Sequence, residues 1–223
     1  MSSGLGSLWS SLNRIYDQAP SIYEKGSLAV SLFMIKKWRM EVLRLGIKPG
    51  DLVLDAGSGR GAVSELLARG RIKTIMLDAS HNMLSVADGD RVQAVFEKPP
   101  FKGKVFDYIV MSFSLHASAN YDDVIKNLKA ILKDGGTFFI ISIGKPRSSV
   151  KRELIRVYLR VAVPVLALLA TRSNFRLFDG IRLIYEESLT NDQIEAILER
   201  NLKTLGFKEM AFGAVYEYIG KNI

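Results

Sequence analysis

The sequence predicts an α/β fold, a Rossmann-like and mostly parallel sheet with helices on both faces and an antiparallel terminal strand. Short apolar runs of strand length alternate with helix-like stretches over residues 51–143, the order that builds parallel sheets. A glycine-rich turn, Gly57-Ser58-Gly59, follows the first apolar run and leads directly into a helix-like stretch. Turns of this kind bind nucleotides at the carboxyl end of a first parallel strand.

The remaining elements are predicted in chain order. The N-terminal region is expected to be helical over residues 9–17 and 28–45. Strands are expected near 51–55, 72–78, 91–96, 105–112 and 136–143, separated by helices near 60–69, 80–88 and 120–133. A helical insert is expected near 148–170 and a further helix at 191–205, before a hairpin formed by 207–212 and 215–219. The hairpin supplies the antiparallel strand.

Composition excludes several classes of site. The chain has 223 residues and no cysteine, so it has no disulfide and no thiolate metal site. Its two histidines lack ligand spacing, and no metal site is predicted. The net charge is +8, but the basic residues are scattered, so no nucleic-acid partner is expected. The first residues do not resemble a signal peptide, and a cytoplasmic location is expected.

Two acids indicate which nucleotide the glycine turn binds. Asp78 ends the second apolar run, 21 residues after Gly57, the spacing of an acid that binds ribose hydroxyls. Asp55 immediately precedes the turn, where its carboxylate would repel a pyrophosphate but favour the sulfonium and ammonium groups of S-adenosylmethionine (SAM). We therefore expect SAM rather than a dinucleotide. The predicted cofactor-binding residues are Asp55, Gly57, Ser58, Gly59, Asp78, Ala79, Met83, Phe96 and Ser112.

Together with the strand at Phe106–Ser112 and the Gly135-Gly136 turn before the next strand, these motifs resemble the class I SAM-dependent methyltransferases over residues 50–142. The flanks, with Tyr23-Glu24, Trp38-Arg39 and Lys48-Pro49-Gly50, resemble those of the ubiquinone/menaquinone biosynthesis C-methyltransferases. That resemblance implies methyl transfer to a ring carbon of a lipophilic quinone precursor. His116 stands where that family commonly has an arginine.

His116 and Tyr23 are the predicted catalytic residues. His116 follows the fourth strand at the ligand-binding edge of the sheet, where it could act as base or orient the substrate. The alternative is a loop histidine bonded to backbone. Tyr23 is expected to reach the cofactor or the acceptor hydroxyl from a helix that closes the site, with simple packing as its alternative.

The insert contains ten consecutive apolar residues, Val161–Ala170, which are too few to span a bilayer and include the helix-kinking Pro164. Arg152, Arg156 and Arg160 precede this run, and Arg172 and Arg176 follow it. Such a segment suits peripheral contact with the inner face of a membrane. A lid over the active site and a homodimer contact are the alternatives.

These observations predict a single domain over residues 1–223. Its parts are a helical cap (1–48), a SAM-binding core (49–145), a helical substrate lid (146–190) and a C-terminal helix with hairpin (191–223). Two other functions stay open: an N- or O-methyltransferase of a phospholipid amine or other metabolite, and a non-catalytic SAM-binding protein.

Overall fold

The computed structural model describes residues 20–172 and 178–223, which include a seven-stranded sheet. The strands are β1 (Leu52–Ala56), β2 (Lys73–Asp78), β3 (Asp90–Gln93), β4 (Phe106–Ser112), β5 (Leu132–Ile143), β6 (Lys203–Met210) and β7 (Val215–Lys221). Their order is β3-β2-β1-β4-β5-β7-β6. β1 to β5 pair in parallel, and β7 runs antiparallel to both β5 and β6. The predicted sheet with an antiparallel terminal strand is confirmed.

Helices surround this sheet. They are α1 (Pro20–Val30), α2 (Met34–Met40), α3 (Ala62–Ala68), α4 (His81–Ser85), α5 (Tyr121–Lys129), α6 (Ser149–Val157), α7 (Val163–Thr171), α8 (Asp179–Glu187) and α9 (Asn191–Asn201). Short 3₁₀ turns lie at Glu41–Leu45, Leu115–Ala117 and Ala211–Gly213, and a π turn joins α6 to α7 at Tyr158–Ala162. The helix predicted over 9–17 lies outside the described residues.

Two hydrophobic clusters lie on opposite faces of the sheet, because side chains alternate along each strand. Leu54, Ile109 and Phe138 pack on one face against α5 and α9. Val53 and Val110 pack on the other against α3 and the turn at Glu41–Leu45. These strand residues are fully buried, and each such side chain contributes about 1.5–3 kcal/mol of transfer free energy. The central strands are thus buried between two layers, and their carboxyl ends lie along one edge of the sheet.

The single helix predicted over 28–45 is wrong, because the chain breaks between α1 and α2. The Phe33 N–H bonds the Leu28 carbonyl at 2.7 Å and the Leu32 N–H bonds the Ala29 carbonyl at 3.0 Å. These two bonds form a Schellman ending, which places Leu32 in the left-handed region with φ 50°. Glycine usually occupies that position, so the sequence carried no sign of the break.

Element bounds also differ at the other end of the chain. The helix expected to reach residue 205 ends at Asn201, and β6 begins at Lys203. The insert helix covers residues 149–171, close to its predicted range, and the π turn accommodates Pro164, which has no N–H for the helical ladder. Helix α8 was not predicted as an element.

Candidate active site

The carboxyl ends of β1, β2 and β4 meet at one edge of the sheet. β1 lies between β2 and β4, so the order of strands reverses here, and ligands bind at such switch points. A cavity of about 520 Å³ opens at this edge, within the range of about 300–1,000 Å³ typical of small-molecule sites. Its wall contains every predicted cofactor residue except Asp55, and it contains His116.

The glycine turn shapes the floor of this cavity. Gly57, Gly59 and Gly61 all have positive φ, at 73°, 55° and 79°. A Cβ on Gly57 would lie 2.3 Å from the Cβ of Ser114, whereas a Cβ on Gly59 would meet no atom within 4 Å. Gly57 therefore allows close packing, and Gly59 leaves open space for a ligand. Gly61 was missed because Ala62 was read as the third position of the fingerprint.

Asp78 connects the glycine turn to the end of β2. Its carboxylate accepts hydrogen bonds from the Gly59 N–H at 2.7 Å and from the Ser80 N–H at 2.9 Å. Asp78 lines the cavity together with Ala79 and Met83. This position suits an acid that fixes the turn and binds ribose hydroxyls.

Asp55 lies beneath the turn instead of in the cavity wall. Its side chain is 1% exposed and accepts a hydrogen bond from the Ser64 hydroxyl at 2.8 Å. Burial raises the pKa of Asp55 to about 6, while the Ser64 hydrogen bonds and the Arg39 guanidinium pull in the opposite direction. Asp55 can act on a ligand through its charge, without direct contact.

Two serine hydroxyls in the cavity wall have no partner within the described residues. They belong to Ser58, in the glycine turn, and Ser112, at the end of β4. A buried hydroxyl without a partner is costly, so both atoms suit a polar ligand. Phe96 and Met83 are buried and line the same cavity, where they offer apolar surface to an adenine ring. The residues present fit SAM.

His116 lies in the 3₁₀ turn after β4, at the cavity wall. Its Nδ1 is 3.2 Å from the hydroxyl of Ser142 on β5. Burial lowers the pKa of His116 to about 4, so the imidazole is neutral near pH 7. A neutral imidazole can accept a proton or a hydrogen bond from a substrate hydroxyl.

Helix α1 covers one side of the cavity. Its Glu24 and Ser27 line the wall, and Glu24 pairs with Arg60 of the glycine turn at 2.6 Å. Tyr23 lies on this helix, but its side chain lies outside the described part of the structure.

Arg39 was not predicted as a site residue, although the Trp38-Arg39 pair had been noted. Arg39 lines the cavity and forms no hydrogen bond or ion pair within the described residues. A cation here complements a carboxylate, such as that of the methionine part of SAM. The described residues include no group of three or more His, Cys, Asp or Glu side chains suited to a metal ion.

Comparisons with known proteins agree with this geometry. Residues 31–180 match the family model described as a methyltransferase domain. The chain belongs to this methyltransferase family. Its fold is also that of a solved SAM-dependent methyltransferase from Thermotoga maritima, described as a possible histamine N-methyltransferase. The TM-score is 0.65 and the identity 16%, over 95% of this chain and 100% of that one.

Curated relatives of this methyltransferase include two demethylmenaquinone methyltransferases. The protein from Tropheryma whipplei (strain Twist) is 28% identical over 213 residues, covering 92% of this chain and 88% of that protein. The one from Thermotoga maritima is 26% identical over 221 residues, covering 94% and 95%. The family and the fold make the protein a SAM-dependent methyltransferase.

Proposed function

We propose that this methyltransferase transfers the methyl group of SAM to a ring carbon of a lipophilic quinone precursor. The observation that carries the proposal is the extent of the similarity to demethylmenaquinone methyltransferases, which covers 92% of this chain in one case and 94% in the other. It therefore includes elements outside the nucleotide-binding core, and substrate specificity depends on such elements.

We propose cofactor-binding roles for residues of the cavity wall and for Asp55, which lies beneath it. Bound SAM supplies an electrophilic methyl group on a sulfonium. Asp78 binds the ribose hydroxyls, and Ser58 and Ser112 offer hydroxyl groups to the polar parts of the cofactor. Arg39 pairs with the carboxylate, and Asp55 stabilises the positive groups from beneath the turn.

His116 and Tyr23 are proposed to act on the acceptor. Methylation at a ring carbon requires electron density from the ring hydroxyl, so the hydroxyl must lose or share its proton. The neutral imidazole of His116, held by Ser142, accepts that hydrogen bond. Its low pKa makes it a weak base, which favours orientation of the hydroxyl over full proton transfer. Tyr23 lies on the helix that covers the cavity, from which it would contact the acceptor or the methionine end.

We further propose that the division inferred from the sequence is functional. Residues 49–145 hold SAM, residues 1–48 cap the site, residues 146–190 form the lid through which the acceptor enters, and residues 191–223 complete the sheet. The protein then works from the cytoplasm, at the inner face of a membrane that holds the acceptor.

A second candidate is methylation of nitrogen or oxygen in a phospholipid amine or another metabolite. The fold is shared with a protein described as a possible histamine N-methyltransferase. Methylation of an amine nitrogen requires no ring hydroxyl, so it would not depend on a group that orients one.

The test is transfer of radiolabelled methyl groups from SAM by the purified protein. The acceptors are a short-chain demethylmenaquinone and phosphatidylethanolamine, each dispersed in detergent, with products identified by mass spectrometry. We expect a C-methylated quinone as the product. Asp78→Asn should lower the activity at least tenfold. Asp90→Asn, a matched change at an exposed acid outside the cavity, should leave the activity unchanged. Label in the phospholipid alone would establish the second candidate instead.

A further inference from the structure

The helix that runs through α6, the π turn and α7 has an unusual surface. It covers Ser149–Thr171, 23 residues, and its most apolar window has a mean hydropathy of 1.8. By length and composition alone it could span a membrane, although the sequence suggested a segment too short to do so. Only 22% of that window is buried, so most of its apolar surface faces outward.

One face of this helix is already packed against the protein. Ile155, Leu159, Val163 and Ala167 are buried in a cluster with Phe178 and Tyr185. The Tyr158 hydroxyl donates to the carbonyl of Val30 at 2.6 Å. The Arg156 Nε donates to Glu186 at 3.0 Å. These contacts fix the helix along the protein surface, as in an interfacial helix.

The opposite face forms a continuous apolar ridge. The ridge consists of Val150, Leu154, Val157, Val161, Val165 and Leu168, each between 48% and 70% exposed. Its members recur every three or four residues, so they lie on one side of the helix, over a length of about 27 Å. An exposed apolar face of this length indicates a partner.

Unpaired cations border the ridge. Lys151 follows Val150 and Arg160 precedes Val161 in the chain. Because successive residues are about 100° apart around a helix, the two cations lie on opposite sides of the ridge. Neither forms an ion pair within the described residues, and Glu153 is the single acid between residues 149 and 171. An apolar stripe with cations on both sides is the pattern of a helix that lies in the surface of an anionic bilayer.

The turn between α1 and α2 resembles the ridge in composition and follows the part of α1 that contacts the helix. Leu32 and Phe33 are 59% and 70% exposed, and they lie two and three residues beyond Val30, which contacts the helix through Tyr158. Lys36 and Lys37 follow and are exposed. The same combination of apolar groups and cations is thus present on a second element.

We propose that the ridge and the turn at Leu32-Phe33 dock the methyltransferase on an anionic lipid surface. Ridge-to-ridge pairing with a second copy fits less well, because it would bring the bordering cations of both copies together. Docking on lipid would bring the enzyme to its lipophilic acceptor, and this purpose of the surface rests on the proposed function. Lipid binding is nevertheless measured without methyl transfer.

The experiment is vesicle flotation with the full chain. Wild-type protein should float with vesicles containing about one third phosphatidylglycerol and remain unbound with phosphatidylcholine alone. Val157→Asp combined with Val161→Asp should reduce the partition coefficient at least tenfold, while Leu205→Asp, a change at a similarly exposed residue on β6, should leave it unchanged. Lys151→Ala and Arg160→Ala should each reduce it about fivefold. Each variant is first shown to bind SAM, which establishes that it is folded.

Absence of flotation by the wild-type protein, or equal flotation of the ridge double variant, would overturn the assignment. If the wild-type protein forms a dimer but does not bind lipid, and Val161→Asp abolishes the dimer, the ridge is an interface with a second copy. Intact flotation without quinone methylation would instead reject the proposed acceptor and leave the docking surface standing.

Discussion

Asp55→Asn should make the protein without SAM more stable at neutral pH and should weaken SAM binding. Asp55 is 1% exposed, and the Ser64 hydroxyl is its side-chain hydrogen-bond donor, at 2.8 Å. Its charge at neutral pH is therefore poorly compensated until a cationic ligand arrives. Removing the charge therefore stabilises the protein without SAM, but it also removes an electrostatic attraction that favours SAM binding.

The magnitude follows from the pKa of Asp55. Burial raises this pKa from 3.8 to about 6, and each pKa unit corresponds to about 1.4 kcal/mol. The folded state holds the proton more tightly than the unfolded state, so stability is lost as pH rises from about 4 to 6. The loss is about 3 kcal/mol above pH 6. Asparagine avoids it but forms a weaker bond with Ser64, at a cost of about 1 kcal/mol, which leaves a net gain of about 2 kcal/mol.

Urea unfolding of both proteins from pH 4.5 to 8 measures this difference. Comparison at each pH cancels the contribution of His116, which both proteins share. The advantage of the variant should grow up to about pH 6.5 and then stay constant. Calorimetry in buffers of different ionisation enthalpy should show that the parent, but not the variant, releases a proton when it binds SAM near pH 6. A pH-independent difference, or a less stable variant at pH 7.5, would refute the argument.

Four further changes test other parts of the site. Burial lowers the pKa of His116 to about 4, so stability should be lost as pH falls from 6.5 to 4; His116→Gln should recover about 3 kcal/mol of unfolding free energy at pH 4. Gly57→Ala should destabilise the protein by at least about 3 kcal/mol, because its Cβ would lie 2.3 Å from another side-chain carbon at φ 73°. Gly59→Ala should lower the free energy of unfolding by about 1–2 kcal/mol, and its main effect should be weaker SAM binding. Thermal unfolding measures the first effect and calorimetry the second. Arg39→Ala should weaken binding of S-adenosylhomocysteine at least tenfold but should not affect binding of 5′-methylthioadenosine, which lacks the carboxylate. The control Lys37→Ala should change the affinity for neither ligand. Equal losses of affinity for both ligands in Arg39→Ala would exclude pairing of Arg39 with the carboxylate.

The places of the predicted cofactor motifs in the fold could be predicted because they depend on local sequence. Gly57, Gly59 and Asp78 follow strands that are evident as apolar runs, and parallel strands bring their carboxyl ends to one edge of the sheet. The surroundings of Asp55 could not be predicted in the same way. They depend on how α3 packs, since that helix places Ser64 over the carboxylate.

Residues brought to the site by tertiary packing were missed for a related reason. Arg39 reaches the cavity from α2, which follows the chain break after α1, where Leu32 and Phe33 have left-handed conformations. Neither residue type indicates such a break, and apolar periodicity favoured one long helix. The sequence also did not indicate that the ridge faces outward. Apolar residues occupy both faces of the insert helix, and packing with α1 and α8 decides which face is buried.

The positions of Asp55 and Arg39 also bear on product release. SAM carries a sulfonium, an ammonium and a carboxylate, so the buried acid and the wall cation complement its charges. Methyl transfer removes the sulfonium charge, while the ammonium and the carboxylate remain. The attraction to Asp55 then decreases while that to Arg39 is unchanged. We therefore expect the product to bind less tightly than SAM, and Asp55→Asn should reduce SAM affinity more than S-adenosylhomocysteine affinity.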